Sequence, residues 1–190
     1  MKVTDHELDV VVGNNMTSEQ EAFINHWSQH YFGAVAVSRG LSKAPVHWRL
    51  ILRSKQQQLS HVALTEMDIE IDGVSKTVGA IGGLFTPSSL QNNGYGNALM
   101  DEAEVFIFDR LKLPSAILFC LDELVPFYAR RRWSLLTLPV TLQQKDGVTI
   151  WGASVMVLTP EGDSQQHLSI HVPSQNRKQQ SEQDAPSNGG

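Results

Sequence analysis

The feature that most constrains this chain is the succession between Thr77 and Cys120. A β-prone arm, Thr77 to Phe85, runs into a polar loop, Thr86 to Gly96, that carries two closely spaced glycines. Asn97 to Leu111 follows with Leu99, Ala103, Phe106 and Ile107 on one helical face. Then comes Ala116-Ile117-Leu118-Phe119-Cys120, a short unbroken apolar run that suits a strand buried on both sides. The first arm has a partner. His61 to Ile71 reads as a strand, and Asp72-Gly73 between them is a tight-turn dipeptide, so the two arms form a hairpin.

The flanks add elements around that core. Leu8 to Val12 is an opening strand, and Ser18-Glu19-Gln20-Glu21 has the pattern of a capping box at a helix start. Phe23, Ile24, Trp27, Tyr31 and Phe32 recur at helical spacing, and Gly33 is the expected stop. His47 to Arg53 reads as a strand and Leu121 to Arg131 as a short helix. Trp133 to Leu142 and Val148 to Leu158 read as a closing hairpin around Lys145-Asp146-Gly147. Leu168, Ile170 and Val172 alternate and fit one more edge strand. From Ser174 onward the chain is polar and cannot bury enough surface to offset its ordering entropy. We therefore expect one domain over residues 1–160 and a tail over 161–190, largely disordered after 173.

Composition excludes several functions. The net charge of -5 argues against broad nucleic-acid binding, which needs clustered Lys and Arg. The lone Cys120 excludes an intramolecular disulfide and a multi-cysteine zinc site, and no metal site is expected. No apolar run is long enough for a membrane span, and the charged start does not read as a signal peptide. Cytoplasm is the expected compartment. The oligomeric state stays open, a homodimer included.

The chemistry points to Gln91-Asn92-Asn93-Gly94-Tyr95-Gly96-Asn97. Gly94 and Gly96 remove side chains where the backbone turns into a helix, and free first-turn amides there favour an anion. A Rossmann fingerprint fails because Leu99 stands at its third glycine, and a P-loop fails for want of Gly-Lys-Ser/Thr. Taken alone, the loop is equally well a turn capping an ordinary helix. Gly82-Gly83 inside an apolar strand suggests a bulge or a close approach by a ligand, with tight packing as the alternative.

In context the sequence resembles the GNAT superfamily of CoA-dependent N-acyltransferases. Its signature, Gln/Arg-x-x-Gly-x-Gly/Ala after the fourth strand, is matched by Gln91 to Gly96, and the order of elements fits over residues 8–160. The resemblance implies an α/β (α+β) GNAT fold: a mixed central sheet of about six to seven strands, splayed between the fourth and fifth, with flanking helices. It implies acetyl-CoA as co-substrate. Its pyrophosphate would lie on the amides of Gln91, Asn92, Asn93, Gly94, Tyr95, Gly96 and Asn97. Its pantetheine arm would pair with Leu84, Phe85 and Thr86 like an added strand. A bulge at Gly82-Gly83 would aim one amide at the thioester oxygen.

Phe127-Tyr128 with Arg132-Trp133 resembles the family segment whose tyrosine protonates the departing sulfur. A free phenol titrates near about 10 and a thiol near about 8.5, so that transfer is nearly balanced, and Tyr128 is the candidate general acid. The sequence departs from the family at Arg132, where a glycine is usual, at Leu121, where an asparagine is frequent, and near Gly82, where some relatives carry a glutamate base. Glu66, Asp68 and Glu70 share one strand face and could hold a cationic amine, although such alternation more often marks a solvated face. His61 and Asp122 are weaker candidates for a base. Arg130, Arg131 and Arg132 read as a solvent-facing helix end before a phosphate contact, and Cys120 as a small core residue. In the family the first helix often walls the acceptor site, which nominates Trp27, with His26 and His30. His61-Val62-Ala63, the hairpin into Val78-Gly79 and Tyr128 to Trp133 resemble the aminoglycoside 2'-N-acetyltransferase branch, and Trp27 to Gly33 with Gly83 to Pro87 resembles the nodulation N-acyltransferase branch. The implied partner is therefore a small-molecule amine, an amino sugar among the candidates, with neither nucleic acid nor membrane. A non-catalytic CoA-binding module and a protein N-acetyltransferase are the alternatives.

Overall fold

The computed structural model describes residues 6–39, 45–55, 57–144, 147–160 and 170–173. The expected tail disorder, Leu168 and the Lys145-Asp146 turn lie outside the described residues.

One mixed sheet, of ten strands among the described residues, organises the fold. Its strands are β1 (Glu7–Val12), β2 (Trp48–Arg53), β3 (Gln58–Ile71), β4 (Val74–Phe85), β5 (Ala116–Cys120), β6 (Ser134–Leu135), β7 (Val140–Gln144), β8 (Gly147–Ile150), β9 (Ser154–Leu158) and β10 (Ile170–Val172). The main path is β6-β9-β5-β4-β3-β10-β7-β8, with β2 also on β3 and β1 on β2. The hairpin of β3 and β4 is the spine. Asp72 and Gly73 both take positive φ, 51° and 79°, as a primed two-residue turn requires. Among the described residues only the β4–β5 and β10–β7 pairs are parallel.

The sheet is more finely divided than the sequence predicts, because two- and three-residue strands are too short to show a period. The predicted closing hairpin splits. Ser134–Leu135 pairs with β9, while β7 turns back on β8. Pro139, which has no amide donor, separates the two. Ile170–Val172 is not an edge strand. It lies between β3 and β7, with Ile170 and Val172 buried.

Among the described residues three α-helices flank the sheet: α1 (Ser18–Arg39), α2 (Tyr95–Val105) and α3 (Val125–Ala129). The capping box sits one residue earlier than Ser18-Glu21. Thr17 N–H donates to Gln20 Oε1 (2.9 Å), and Gln20 N–H donates to Thr17 Oγ1 (3.2 Å). Gly33 does not stop α1, which continues to Arg39. A helical glycine costs about 1 kcal/mol, less than the packing of the stripe preceding it provides. That stripe covers Val11, Ile51 and Phe85 through Ile24, Phe23, Trp27 and Tyr31.

The predicted face of α2 is the buried one: Leu99, Ala103, Phe106 and Ile107, joined by Met100, pack on Leu50, Leu52, Val62 and Leu64. After Val105 the helix widens into a π-turn, Phe106–Arg110. This seats Ile107 on Gly79, where a Cβ would stand 2.6 Å from Ile107 Cγ2. On the other face, Met67, Ile69, Ile117, Val140 and Ile170 form a second cluster.

Gly79→Ala should therefore force Ile107 out of its seat and lower unfolding stability by about 1–3 kcal/mol in chemical denaturation. An unchanged midpoint would show that the helix–sheet contact is not close-packed there.

Candidate functional site

The site begins where β4 and β5 part. They pair in parallel at Gly79–Ala116, Ala80–Ile117 and Ile81–Leu118, and no further. On its other edge, β4 gains one residue against β3: Ala63 faces Gly82, but His61 faces Phe85. Gly83, at φ +58°, is in the left-handed region that only glycine enters without strain. Gly82-Gly83 is thus a bulge, and β4 leaves β5 behind it.

The bulged segment is held by side chains. His61 Nδ1 lies 3.0 Å from the Gly83 carbonyl oxygen. Burial holds the His61 ring at a pKa of about 4, with the Arg49 charge pushing the same way and the Gly83 bond opposing it. The ring is therefore neutral, and its Nδ1–H donates to Gly83 O. Ser60 Oγ donates to Phe85 O (2.8 Å) and lies 3.0 Å from Thr86 Oγ1. Tyr31 Oη donates to Thr86 O (3.1 Å), and Gln91 Nε2 donates both to Thr86 O (3.1 Å) and to Tyr31 Oη (3.0 Å). One polar knot thereby joins α1, the end of β4 and the glycine loop.

The loop then enters α2. Gly94 is its N-cap at φ +85° and supplies no side-chain cap, so first-turn amides keep their donors. Ala98 N–H closes the first helical bond to Gly94 O (3.0 Å). Asn92 also takes a positive φ, 64°. Asn93 braces the loop from within, its Nδ2 donating to Leu90 O and Gln91 O (both 3.1 Å).

A cleft of about 810 Å³ runs along these elements. It brings together Leu84, Phe85, Thr86, Gln91, Asn92, Gly94, Tyr95, Gly96, Asn97 and Tyr128. Tyr128 is buried at 6% exposure. Its hydroxyl is pushed up to about 12, first by burial and then by the Cys120 thiol, so it keeps its proton at neutral pH. Cys120 lines the cleft as an uncharged thiol, raised by its own burial and by Asp122.

Other expected residues lie elsewhere. Asn93 is not on the cleft lining. Glu66 and Asp68 are also away from it. Their register partners are Gly79 and Thr77, on the half of β4 before the bulge, and Asp68 accepts from Thr77 Oγ1 (2.7 Å). Trp27 stacks on Tyr31 (5.8 Å between centroids, 23° between planes) rather than lining the cleft, with His26 and His30 edge-on to it. His61 steadies the bulge and does not line the cleft, and Asp122 accepts from Ser154 Oγ (2.7 Å). Arg131 is not solvent-facing. It bridges to Asp101 (2.5 Å) and Glu104 (3.2 Å) on α2, and Trp133 Nε1 joins it at Glu104 (3.0 Å). Arg132 takes φ +68°, which explains why a glycine suits that position better.

Sequence reasoning missed Glu123, Trp151 and Ala153 on the lining, and gave Tyr31 and Phe32 to the apolar stripe of the first helix. Only Tyr31 left a trace: a hydroxyl at the end of an apolar helical stripe wants a partner.

No protein-family model matches the sequence, and no curated protein matches it. Solved structures do. Escherichia coli ElaA superposes with a TM-score of 0.58 at 13% identity, covering 80% of this chain and 98% of its own. The GNAT family N-acetyltransferase YhbS from Escherichia coli, in complex with CoA, gives 0.58 at 10% identity over 88% and 89%. A GNAT family acetyltransferase from Brucella melitensis, in complex with acetyl-CoA, gives 0.52 at 15% over 85% and 93%. The chain has the GNAT fold. Among the described residues, no helix is long and apolar enough to cross a membrane.

The neutral His61 makes a stability prediction. Its folded pKa of about 4 lies below the ordinary 6.5, so the unfolded chain binds the extra proton between those values. Stability from this group is fully present above pH 6.5 and is lost as pH falls toward 4, by about 3 kcal/mol in all. Denaturation midpoints measured across that window should fall more steeply for wild type than for His61→Gln. Parallel curves would mean that the ring is protonated in the fold.

Proposed function

We propose that the chain is an acetyl-CoA-dependent N-acetyltransferase acting on a primary amine. The observation that carries this is the convergence of three features on one cleft: a strand edge opened by a bulge, an uncapped helix start, and a buried, protonated tyrosine. Each answers one need of acyl transfer from a thioester. The amides entering α2 suit a pyrophosphate. The end of β4 suits an extended, amide-bearing arm, and its Gly83, Phe85 and Thr86 carbonyls are already fixed by His61, Ser60, Tyr31 and Gln91. The neighbours with CoA and acetyl-CoA bound support the same reading.

In this reading a neutral amine attacks the thioester carbonyl carbon, forming a C–N bond and a tetrahedral oxyanion. Collapse breaks the C–S bond, and the sulfur takes the Tyr128 proton. The nitrogen releases a proton to water, and Tyr128 is reprotonated from solvent. Glu123 is the one carboxylate on the described lining, so deprotonation falls to it or to water. The amino-sugar acceptor suggested by the branch resemblance loses one support, since Glu66 and Asp68 lie off the cleft. The same scarcity of carboxylates favours one alternative of another class, a CoA-binding module without catalysis.

Tyr128→Phe should lower kcat about 100-fold or more while leaving the KM for acetyl-CoA within about twofold. Between pH 7 and about 10, Tyr128 should impose no fall in rate, because it stays protonated there. Gly94→Val, placing a side chain at φ +85°, should weaken acetyl-CoA at least about tenfold by calorimetry. Binding without thiol release on any amine would favour the module, and no binding would remove both readings.

A further inference from the structure

Arg49 is the one polar group near the bulge whose needs the described structure does not meet. Its Nε is buried without a hydrogen-bond partner among the described residues. Among the described residues its Nη1 reaches only the neutral His61, at 3.5 Å from Nε2. Burial lowers its pKa, so the charge is carried at a cost. The contrast with Arg53 on the same strand is direct. Arg53 faces Glu7 across β1 and pairs with it and with Asp9, whereas Arg49 faces Val11 and Ala63 and makes no ion pair among the described residues.

Register shows what this cation overlooks. Val11, Arg49, Ala63 and Gly82 form one row across β1, β2, β3 and β4, on one face of the sheet. From Arg49 toward β4, the row holds only a methyl group and a hydrogen. A Cβ built on Gly82 would meet nothing within 4 Å, and Gly82 lines the cleft, whereas Arg49 itself does not. The contact with His61, which itself holds Gly83 O, shows that the guanidinium leans toward the bulge. No bulky side chain of the row separates the cation from the place where the two strands part.

We infer that Arg49 binds an acidic group, a carboxylate or a phosphate, on the acceptor whose amine is acylated. A guanidinium fork matches either anion and would gain the counter-charge it lacks. This rests on the transferase reading and narrows it: the acceptor is an amine that also bears an anion, which works against a polycation such as an aminoglycoside.

The test is thiol release from acetyl-CoA with acceptor pairs differing only in the anion. Glycine, β-alanine and γ-aminobutyrate are each set against their amides, and glucosamine 6-phosphate against glucosamine. For at least one pair, wild type should prefer the anionic member at least tenfold in kcat/KM. Arg49→Met should raise the KM for that member at least tenfold while leaving its uncharged partner within twofold, and Arg49→Lys should restore part of the preference. The pair that responds identifies carboxylate or phosphate as the source. Equal rates on both members, no turnover of any anionic member, or equal losses on both in Arg49→Met would overturn the inference. The last result would make Arg49 a brace for His61. Calorimetry separates this from failure of the wider reading: acetyl-CoA would still bind if only the anion preference were wrong.

Discussion

The arrangement depends on one extra residue in β4. Without the bulge at Gly83, β4 would continue beside β5, and there would be no wedge beyond the Ile81–Leu118 pair. Gly83 permits the left-handed turn, but permission is not enough, since a bulged glycine is also free to relax. What fixes it is the set of side chains that accompany it. His61, Ser60, Tyr31 and Gln91 each donate to a carbonyl between Gly83 and Thr86. Each such bond contributes about 1 kcal/mol net, and more weight lies in what breaking one would strand. His61 can serve because its burial keeps it neutral. A charged ring in that position would need an anion that β3 and β4 do not supply.

The acidity of the chain is spent outside the cleft. Glu7 and Asp9 hold Arg53, Asp101 and Glu104 hold Arg131, and Asp68 accepts from Thr77. These contacts tie strand to strand and α2 to the segment after α3. They leave a largely apolar cleft whose polar side chains are mostly uncharged, among them Tyr31, Tyr95, Tyr128, Gln91 and Cys120, with Glu123 and Arg130 as its charged residues. Such surroundings raise the Tyr128 hydroxyl, so it holds its proton at neutral pH but is a weaker acid than a free phenol, and its transfer to sulfur is no longer nearly balanced. The sequence-wide charge of -5 is thus a poor guide to what the cleft would accept.

Much of this was legible where one residue type has one physical meaning. Asp72-Gly73 predicted a tight hairpin turn and Leu99 to Ile107 a buried face, each from local sterics or period, while Gly82-Gly83 left a bulge, a ligand's close approach and tight packing open until the register showed the bulge. Other features depend on partners that a sequence does not order. Thr17 with Gln20 and Ser18 with Glu21 are equally spaced capping boxes, and the one that forms is the one whose Gln20 Nε2 also donates to Asp9 on β1. Alternation put Glu66 and Asp68 on one face but could not say which side of the bulge they would stand. Ile170–Val172 looked like an edge because nothing local announces that β7 will lie beside it. Arg49 went unnoticed because an arginine in a strand looks solvated until its neighbours prove to be Val11 and Ala63.

A crystal structure of the protein grown with acetyl-CoA is the most direct test. The account predicts diphosphate density against the main-chain nitrogens of residues 92–97, with the acyl-bearing arm running between Leu84–Thr86 and β5 and its sulfur within reach of the Tyr128 hydroxyl. Density for the nucleotide at any other place on the surface, with the gap between β4 and β5 left to solvent, would contradict it.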